Sequence, residues 1–322
     1  MAKNIAICVG TIGAGLFRSP DGGDTWERPK GIWGDTRVFA VSVHPAEPTV
    51  VFAGTDEGIF RSDDKGASFQ HLSSQMDSMQ VWRIAADPVD PNTIFAGTCP
   101  SALFRSRDGG TNWEKLTVEL AESCPNVRLP RVTALEVDPT DHNIVWAGVE
   151  VDGVQRSLDG GDTWTRIGGG LSDPDIHGMA ISPGNPKTVL TSTPREVFTS
   201  TDTGESWQGL GVGQHFSMPY CRDILVKKDS PDVIFVAAGE SPFGVTGNLQ
   251  RSKDLGQTWE TMPLPAVPNT PMWAFASNQA DPNLILACSH YGEIYSTDNG
   301  GDRWEKLPKE FSEIRGMAWT PN

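Results

Sequence analysis

The chain lacks any apolar run that could span a bilayer. Its longest, such as Val50-Val51-Phe52-Ala53 and Leu284-Ile285-Leu286-Ala287, fall far short of the roughly 18 residues a crossing helix needs, so no membrane partner is expected. It lacks a basic run as well. Lys and Arg total 26 against 41 Asp and Glu, a formal charge of −15, which leaves little surface for the counterion release behind nucleic-acid binding. Cysteine is scarce and unpatterned: Cys8, Cys99, Cys124, Cys221 and Cys288 are an odd number with no C-x-x-C spacing. That fits reduced thiols better than a disulfide framework or a structural zinc site. The start, Met1 to Cys8, has one lysine and a short apolar run ending at Gly10, which is no secretory leader and points to a cytoplasmic protein. Helical periodicity is missing, since no 11-residue window repeats apolar positions at helical spacing in more than one part of the chain. P-loop, H-E-x-x-H and G-x-S-x-G signatures are absent. Gly10-Thr11-Ile12-Gly13-Ala14-Gly15 lies between two β segments, with no helix N-terminus to receive a phosphate.

What is present is a repeat. The segment Ser19 to Trp26 returns as Ser62 to Phe69, Ser106 to Trp113, Ser157 to Trp164, Ser200 to Trp207 and Ser252 to Trp259. A seventh copy runs from Ser296 to Trp304 with one extra residue before its tryptophan. The serines are spaced by 43, 44, 51, 43, 52 and 44 residues. Within a period the flanks read as short strands divided by turns: Arg37 to Val43, the turn His44 to Pro48, Val50 to Ala53, Ile59 to Arg61, the box, then Phe69 to His71. Asp87-Pro88, Asp138-Pro139, Ser182-Pro183 and Asp281-Pro282 mark the same first turn in other copies. Four antiparallel strands per unit make a propeller blade. The chain opens at a second strand, Asn4 to Val9, and closes with a lone first strand within residues 313–321. The sequence therefore predicts an all-β, seven-bladed β-propeller of four-stranded antiparallel blades over residues 1–322, one domain, its ring closed by N- and C-terminal strands sharing one blade.

The seven S-x-D-x-G-x-T/S-W boxes resemble the Asp-box, or bacterial neuraminidase repeat, of sialidases, xyloglucan hydrolases, sortilin-type receptors and a photosystem assembly factor. The resemblance covers essentially the whole chain and implies the propeller fold. In physical terms the box Asp accepts backbone N–H groups in an Asx-turn, Gly supplies φ > 0, and Ser or Thr hydroxyls satisfy remaining amides. Calcium held by pairs such as Asp21/Asp24 or Asp159/Asp162 would need about six oxygens and has no supporting spacing. Sialidase activity in that family requires an arginine triad, a Tyr/Glu nucleophile pair and an acid Asp. With three tyrosines and no N-terminal Arg-x-x-Pro-like motif, this chain does not match it; Arg128-Leu129-Pro130 is similar only in the middle of the chain.

The variable loops, including 116–130, 168–175, 208–220 and 238–248, all fall on the face opposite the boxes, where a rigid scaffold would display binding groups. Aligning the innermost strands puts Phe39, Trp82, Thr133, His177, Arg222, Trp273 and Arg315 in one column at the top mouth of the central channel. Two places along, Val41, Ile84, Leu135, Met179, Ile224, Phe275 and Met317 are uniformly apolar, as blade packing demands. Guanidiniums and aromatic rings around one mouth suit a small anionic or aromatic ligand. The bland alternative is that they cap the channel, with Arg83 paired to Asp223 or another carboxylate.

Three functions follow. In the first, a hydrolase or lyase, His177 moves protons while Arg222 and Arg315 stabilise negative charge, and Trp82, Trp273, Phe39, Arg83, Arg37, Arg131 and Tyr220 bind the ligand. Cys221 reads as a small apolar filler or as a thiol activated by Arg222. A divalent metal held by His177, His215 and His290 is a further option without local ligand spacing. The second is a non-catalytic platform for a protein or peptide on the top face, which requires exposed aromatics such as Trp33, Phe216, Phe243 and Tyr291. The third is a glycosidase like other Asp-box relatives, using two top-face carboxylates.

Overall fold

The computed structural model describes residues 4–124 and 128–322. Among these residues the strands form seven antiparallel sheets, and the chain is a seven-bladed all-β propeller. In the second blade the order is Val38–Val43, Val51–Thr55, Gly58–Ser62 and Gln70–Leu72, each strand pairing with the next. The X-Pro marks seen in the sequence work by side-chain capping of the first turn. His44 Nδ1 accepts the amides of Ala46 and Glu47 at 3.2 and 3.0 Å. Asp87 Oδ1 accepts those of Val89 and Asp90 at 2.8 and 3.1 Å, and Asp138 Oδ1 those of Thr140 and Asp141.

Both ends of the described chain share one blade, as the sequence predicts. Ile5–Thr11 pairs with Leu16–Ser19 on one side and Ile314–Pro321 on the other, placing Ile7 opposite Trp319 and Val9 opposite Met317. A backbone bridge between Arg18 and Glu27 stands where the other blades have a fourth strand.

The contacts group into two compact units. Unit 1 comprises Met1–Ala147, Arg156–Thr165 and Phe311–Asn322, and unit 2 comprises Gly148–Gln155 and Arg166–Glu310. Unit 1 buries the faces of consecutive blades against each other through Phe52, Ile59, Val81, Ile94 and Phe104. Unit 2 does so through Leu190, Val197, Ile224, Ile234 and Val236, with a second cluster around Phe235, Ile285 and Tyr295. Each such side chain is worth about 1.5–3 kcal/mol on burial.

The repeated boxes are self-contained hydrogen-bonded turns. Ser19 Oγ accepts the Gly23 amide at 2.7 Å and donates to Asp21 Oδ1 at 2.9 Å. Asp21 Oδ1 accepts the Thr25 amide at 2.8 Å, its Oδ2 accepts the Thr25 hydroxyl at 2.5 Å, and Trp26 Nε1 donates to the Gly23 carbonyl at 3.0 Å. Asp64, Asp108, Asp159, Asp202 and Asp254 bond in the same way. Both oxygens of the box Asp are thus committed to the turn, which is the structural rather than the calcium reading.

The seventh copy corrects the sequence alignment. Thr297, not Ser296, supplies the hydroxyl that accepts the Gly301 amide, and Asn299 stands for Asp by accepting the Arg303 amide at 3.0 Å. Trp304 then donates to the Gly301 carbonyl at 3.1 Å. The box therefore has ordinary length in a frame one residue later.

These bonds hold the box carboxyls below the usual carboxylate range. The Thr163 hydroxyl and amide hold Asp159 down to about 2, and Ser206 does the same for Asp202, also to about 2. An unfolded Asp titrates near 3.9, so the folded state binds fewer protons between those values and loses stability as pH falls through them. The urea midpoint should hold steady above about pH 5 and drop between about pH 4 and pH 2. An unchanged midpoint down to pH 2 would mean the boxes do not depend on ionised Asp.

Candidate functional site

Five residues of the predicted mouth column share a feature that the sequence does not show: each is the extra residue of a β-bulge at the start of an innermost strand. In unit 1 the pairing skips Phe39 between Val38 and Ala40, Trp82 between Val81 and Arg83, and Arg315 between Ile314 and Gly316. In unit 2 it skips Arg222 between Cys221 and Asp223, and Trp273 between Met272 and Ala274. A bulge takes its residue out of the pleat's alternation and re-aims the side chain.

In unit 1 the re-aimed groups converge on Trp82. Phe39 stacks on it with ring centroids 4.9 Å apart, and the guanidiniums of Arg131 and Arg315 lie 4.5 and 5.5 Å from its ring. Trp82 Nε1 donates to Gln80 Oε1 at 3.0 Å, and Arg315 pairs with Glu313. Arg83 donates to the Trp82 carbonyl at 2.9 Å. Arg37 sits apart from this group, held at 3.0 Å by Asp56. An open cleft of about 590 Å³ adjoins the assembly, with Gln80, Cys99, Glu122, Arg128 and Arg131 in its lining.

Unit 2 builds a column of four layers. The Arg222 guanidinium lies 4.3 Å from the Trp273 ring centre. The imidazole of His290 stacks on Trp273 at 3.9 Å and 11°, and Tyr291 stacks on His290 at 4.8 Å and 22°. Sequence reasoning named all four residues but did not see the stack. The available signal was that His290-Tyr291 occupies the loop after the second strand of the blade whose first strand, Met272–Asn278, carries Trp273 as its second residue. Glu293 braces that loop: it accepts the Asn269 amide at 2.8 Å and the Tyr295 hydroxyl at 3.1 Å, and pairs with Lys306 at 2.5 Å.

His177 lies just before Gly178–Ser182 and is buried. Its Nδ1 is 2.8 Å from the Cys221 carbonyl, which fixes the proton on that nitrogen, and Nε2 is 3.7 Å from Asp175 Oδ2. Tyr220, expected in a loop, is the first residue of the strand Tyr220–Lys227 and sits edge-on to His177 at 5.4 Å. Burial pushes the Cys221 thiol well above its ordinary value, the behaviour of an apolar filler. His215 ends the single helical turn Val212–His215. Among the described residues no three His, Cys, Asp or Glu side chains gather as metal ligands, so His177, His215 and His290 do not form the metal site considered from the sequence. No helix among them is long and apolar enough to cross a membrane.

Of the aromatics expected at the surface, Trp33, Phe243 and Tyr291 are exposed. Phe216 is not: the turn Val212–His215 folds it onto Trp259, with ring centroids 4.9 Å apart.

Comparison with known proteins gives a consistent set of likenesses. The family model described as "Sortilin, neurotensin receptor 3" matches residues 14–126. The xyloglucanase Xgh74A of Acetivibrio thermocellus is 26% identical over 246 residues, 64% of this chain and 28% of that protein. The chain is similar to a xyloglucanase. It nevertheless spans less than a third of the length of Xgh74A. Among solved structures, the GH74 enzyme of Niastella koreensis superposes with a TM-score of 0.67 at 19% identity, covering 93% of this chain and 46% of the enzyme. YCF48 from Cyanidioschyzon merolae gives 0.62 at 14%, covering 86% and 88%. YCF48 bound to D1 peptide gives 0.57 at 12%, covering 89% and 91%. At such identities the structures share the propeller fold.

Proposed function

We propose that the chain is a non-catalytic binding propeller that docks a polypeptide segment bearing apolar side chains on three adjoining loops of unit 2. The observation that carries this reading is the exposure of Phe243, Val245, Val267 and Tyr291, at 89%, 78%, 79% and 52%. Apolar groups gathered in that way mark interaction surfaces. The loops meet at Pro271: Gly239 and Gly247, at the two ends of one loop, pack directly against it, and its carbonyl accepts the His290 amide at 2.9 Å. Asn269 Nδ2 donates to the Tyr291 carbonyl at 2.8 Å, so the second and third loops are tied to each other. The fold of YCF48, which is known bound to a peptide, supports the reading. Free thiols at all five cysteines agree with a reducing, cytoplasmic setting.

A second reading, xyloglucan hydrolysis, is favoured by the 26% identity to Xgh74A. One experiment separates them. Partners captured by the wild-type chain are purified, and their affinity is compared with that of a Phe243→Asp, Val267→Asp variant. Losing two exposed apolar side chains that a docked partner would cover should weaken binding by about tenfold or more. Equal affinity for the variant, or release of reducing ends from xyloglucan by the wild-type chain, would replace the platform reading.

A further inference from the structure

We propose that Arg222 is an anion-binding site that takes a carboxylate. The residue is only 7% exposed. Among the described residues its guanidinium has no hydrogen bond and no ion pair; its one contact of this kind is the face of Trp273. Its chain neighbour makes no ion pair with it: Asp223 Oδ1 and Oδ2 accept the amides of Ile224 and Phe275, each at 3.0 Å.

The contrast with two other buried arginines is informative. Arg105 and Arg251 are each met by two carboxylates and a backbone carbonyl. At positions 105 and 251 the buried guanidinium is met by acidic partners; at position 222 it is met by an indole. Cation–π attraction offsets only part of the cost of removing an unpaired charge from water. It also leaves the five N–H donors at the edge of the guanidinium free, and that planar fork matches a carboxylate bidentately. One positive charge in a chain of net −15 balances a monoanion, whereas a phosphate dianion would bring in uncompensated charge. The bulge and the Trp273–His290–Tyr291 stack fix the orientation of the fork before any ligand arrives. The site stands on Arg222 and Trp273 and does not depend on a polypeptide docking at the exposed loops.

A carboxylate can belong to a free acid or to an acidic side chain of a peptide. Calorimetric titration and melting curves with sodium benzoate, with N-acetyl-glutamic acid α-amide and with inorganic phosphate, all at one ionic strength, distinguish these sources. The expected result is that a carboxylate binds the wild-type chain and raises its melting temperature, the better of the two carboxylates naming the source. Arg222→Gln should then weaken binding by at least about tenfold, and Arg222→Lys, which keeps the charge but loses the fork, should weaken it as well. Without ligand, Arg222→Gln and Arg222→Met should melt at or above the wild-type temperature, because an unpaired buried charge has been removed. Wild-type affinity in Arg222→Gln, tighter binding of phosphate than of either carboxylate, no binding of any probe, or failure of both neutral variants to fold would each overturn the proposal.

Discussion

Gly31→Ala should lower the unfolding free energy by about 3 kcal/mol or more, and Gly170→Ala in the other unit by a similar amount. Both glycines sit in the left-handed region, at φ of 90° and 93°, on links that leave one blade and run beneath the box of the next. A Cβ built on Gly31 would lie 1.9 Å from the Phe69 carbonyl oxygen, and one on Gly170 would lie 2.3 Å from that of Trp207. Neither oxygen can retreat cheaply. The Phe69 amide donates to the Lys30 carbonyl at 2.8 Å, the Lys30 amide to the Ala67 carbonyl at 3.2 Å, and the Trp207 amide to the Gly169 carbonyl at 2.7 Å, so link and box are stitched together. The left-handed conformation alone costs an L-residue roughly 1–2 kcal/mol, and overpacking adds about 1–3. Gly13→Ala separates the two contributions, because Gly13 has φ of 85° but nothing within 4 Å of its added Cβ. Urea melts should place the Gly31 variant well below the Gly13 variant; equal midpoints would mean that the close approach relaxes without cost.

The architecture is legible in the sequence because each box closes on itself within eight residues, so its spacing is its geometry. The same locality explains the seventh-copy error. Ser296 and Thr297 are adjacent hydroxyls, and only the partner of the Gly301 amide tells which one anchors the turn. The links were not legible as crossings beneath a box, since a close approach between distant segments leaves no mark on residue order. At the candidate site, alignment located Phe39, Trp82, Arg222, Trp273 and Arg315 in one column, yet nothing in it indicated bulges. A bulge is set by how two strands pair, and any residue type can occupy one. The chemical irregularity of that column beside its uniformly apolar neighbour was the trace it left. Phe216 was misplaced for a similar reason: its polar surroundings in sequence describe a loop, while contact with Trp259 decides its burial. The sequence also carries an Arg immediately before the box and a Glu immediately after its tryptophan, a pair that meets in space at Arg18/Glu27, Arg105/Glu114 and Arg251/Glu260.

Arg105→Met should destabilise the protein by about 2–4 kcal/mol, and Arg251→Met should act alike in unit 2. Arg105 is 5% exposed; its Nε and Nη2 reach Glu114 Oε1 at 2.8 Å, Nη2 reaches Asp162 at 2.6 Å, and Nη1 donates to the Gly160 carbonyl at 2.5 Å. Gly160 and Asp162 belong to the box of the following blade, so a single guanidinium clamps two blades. Arg251 repeats this with Glu260 at 2.8 Å, Asp302 at 2.7 Å and the Gly300 carbonyl at 3.3 Å. The carboxylates are half exposed and can return to water, which keeps each ion pair to about 1 kcal/mol or less. Most of the loss therefore comes from the Gly160 carbonyl, deprived of its donor, and from the fork that fixed its geometry. Glu114→Gln should accordingly cost less than about 1 kcal/mol, while Arg105→Lys, which keeps the charge and gives up the fork, should recover under half of what methionine loses. A lysine variant as stable as wild type in urea would show that the clamp is purely a matter of charge. A methionine variant within about 0.5 kcal/mol of wild type would show that blade packing, with no help from the guanidinium, holds this junction.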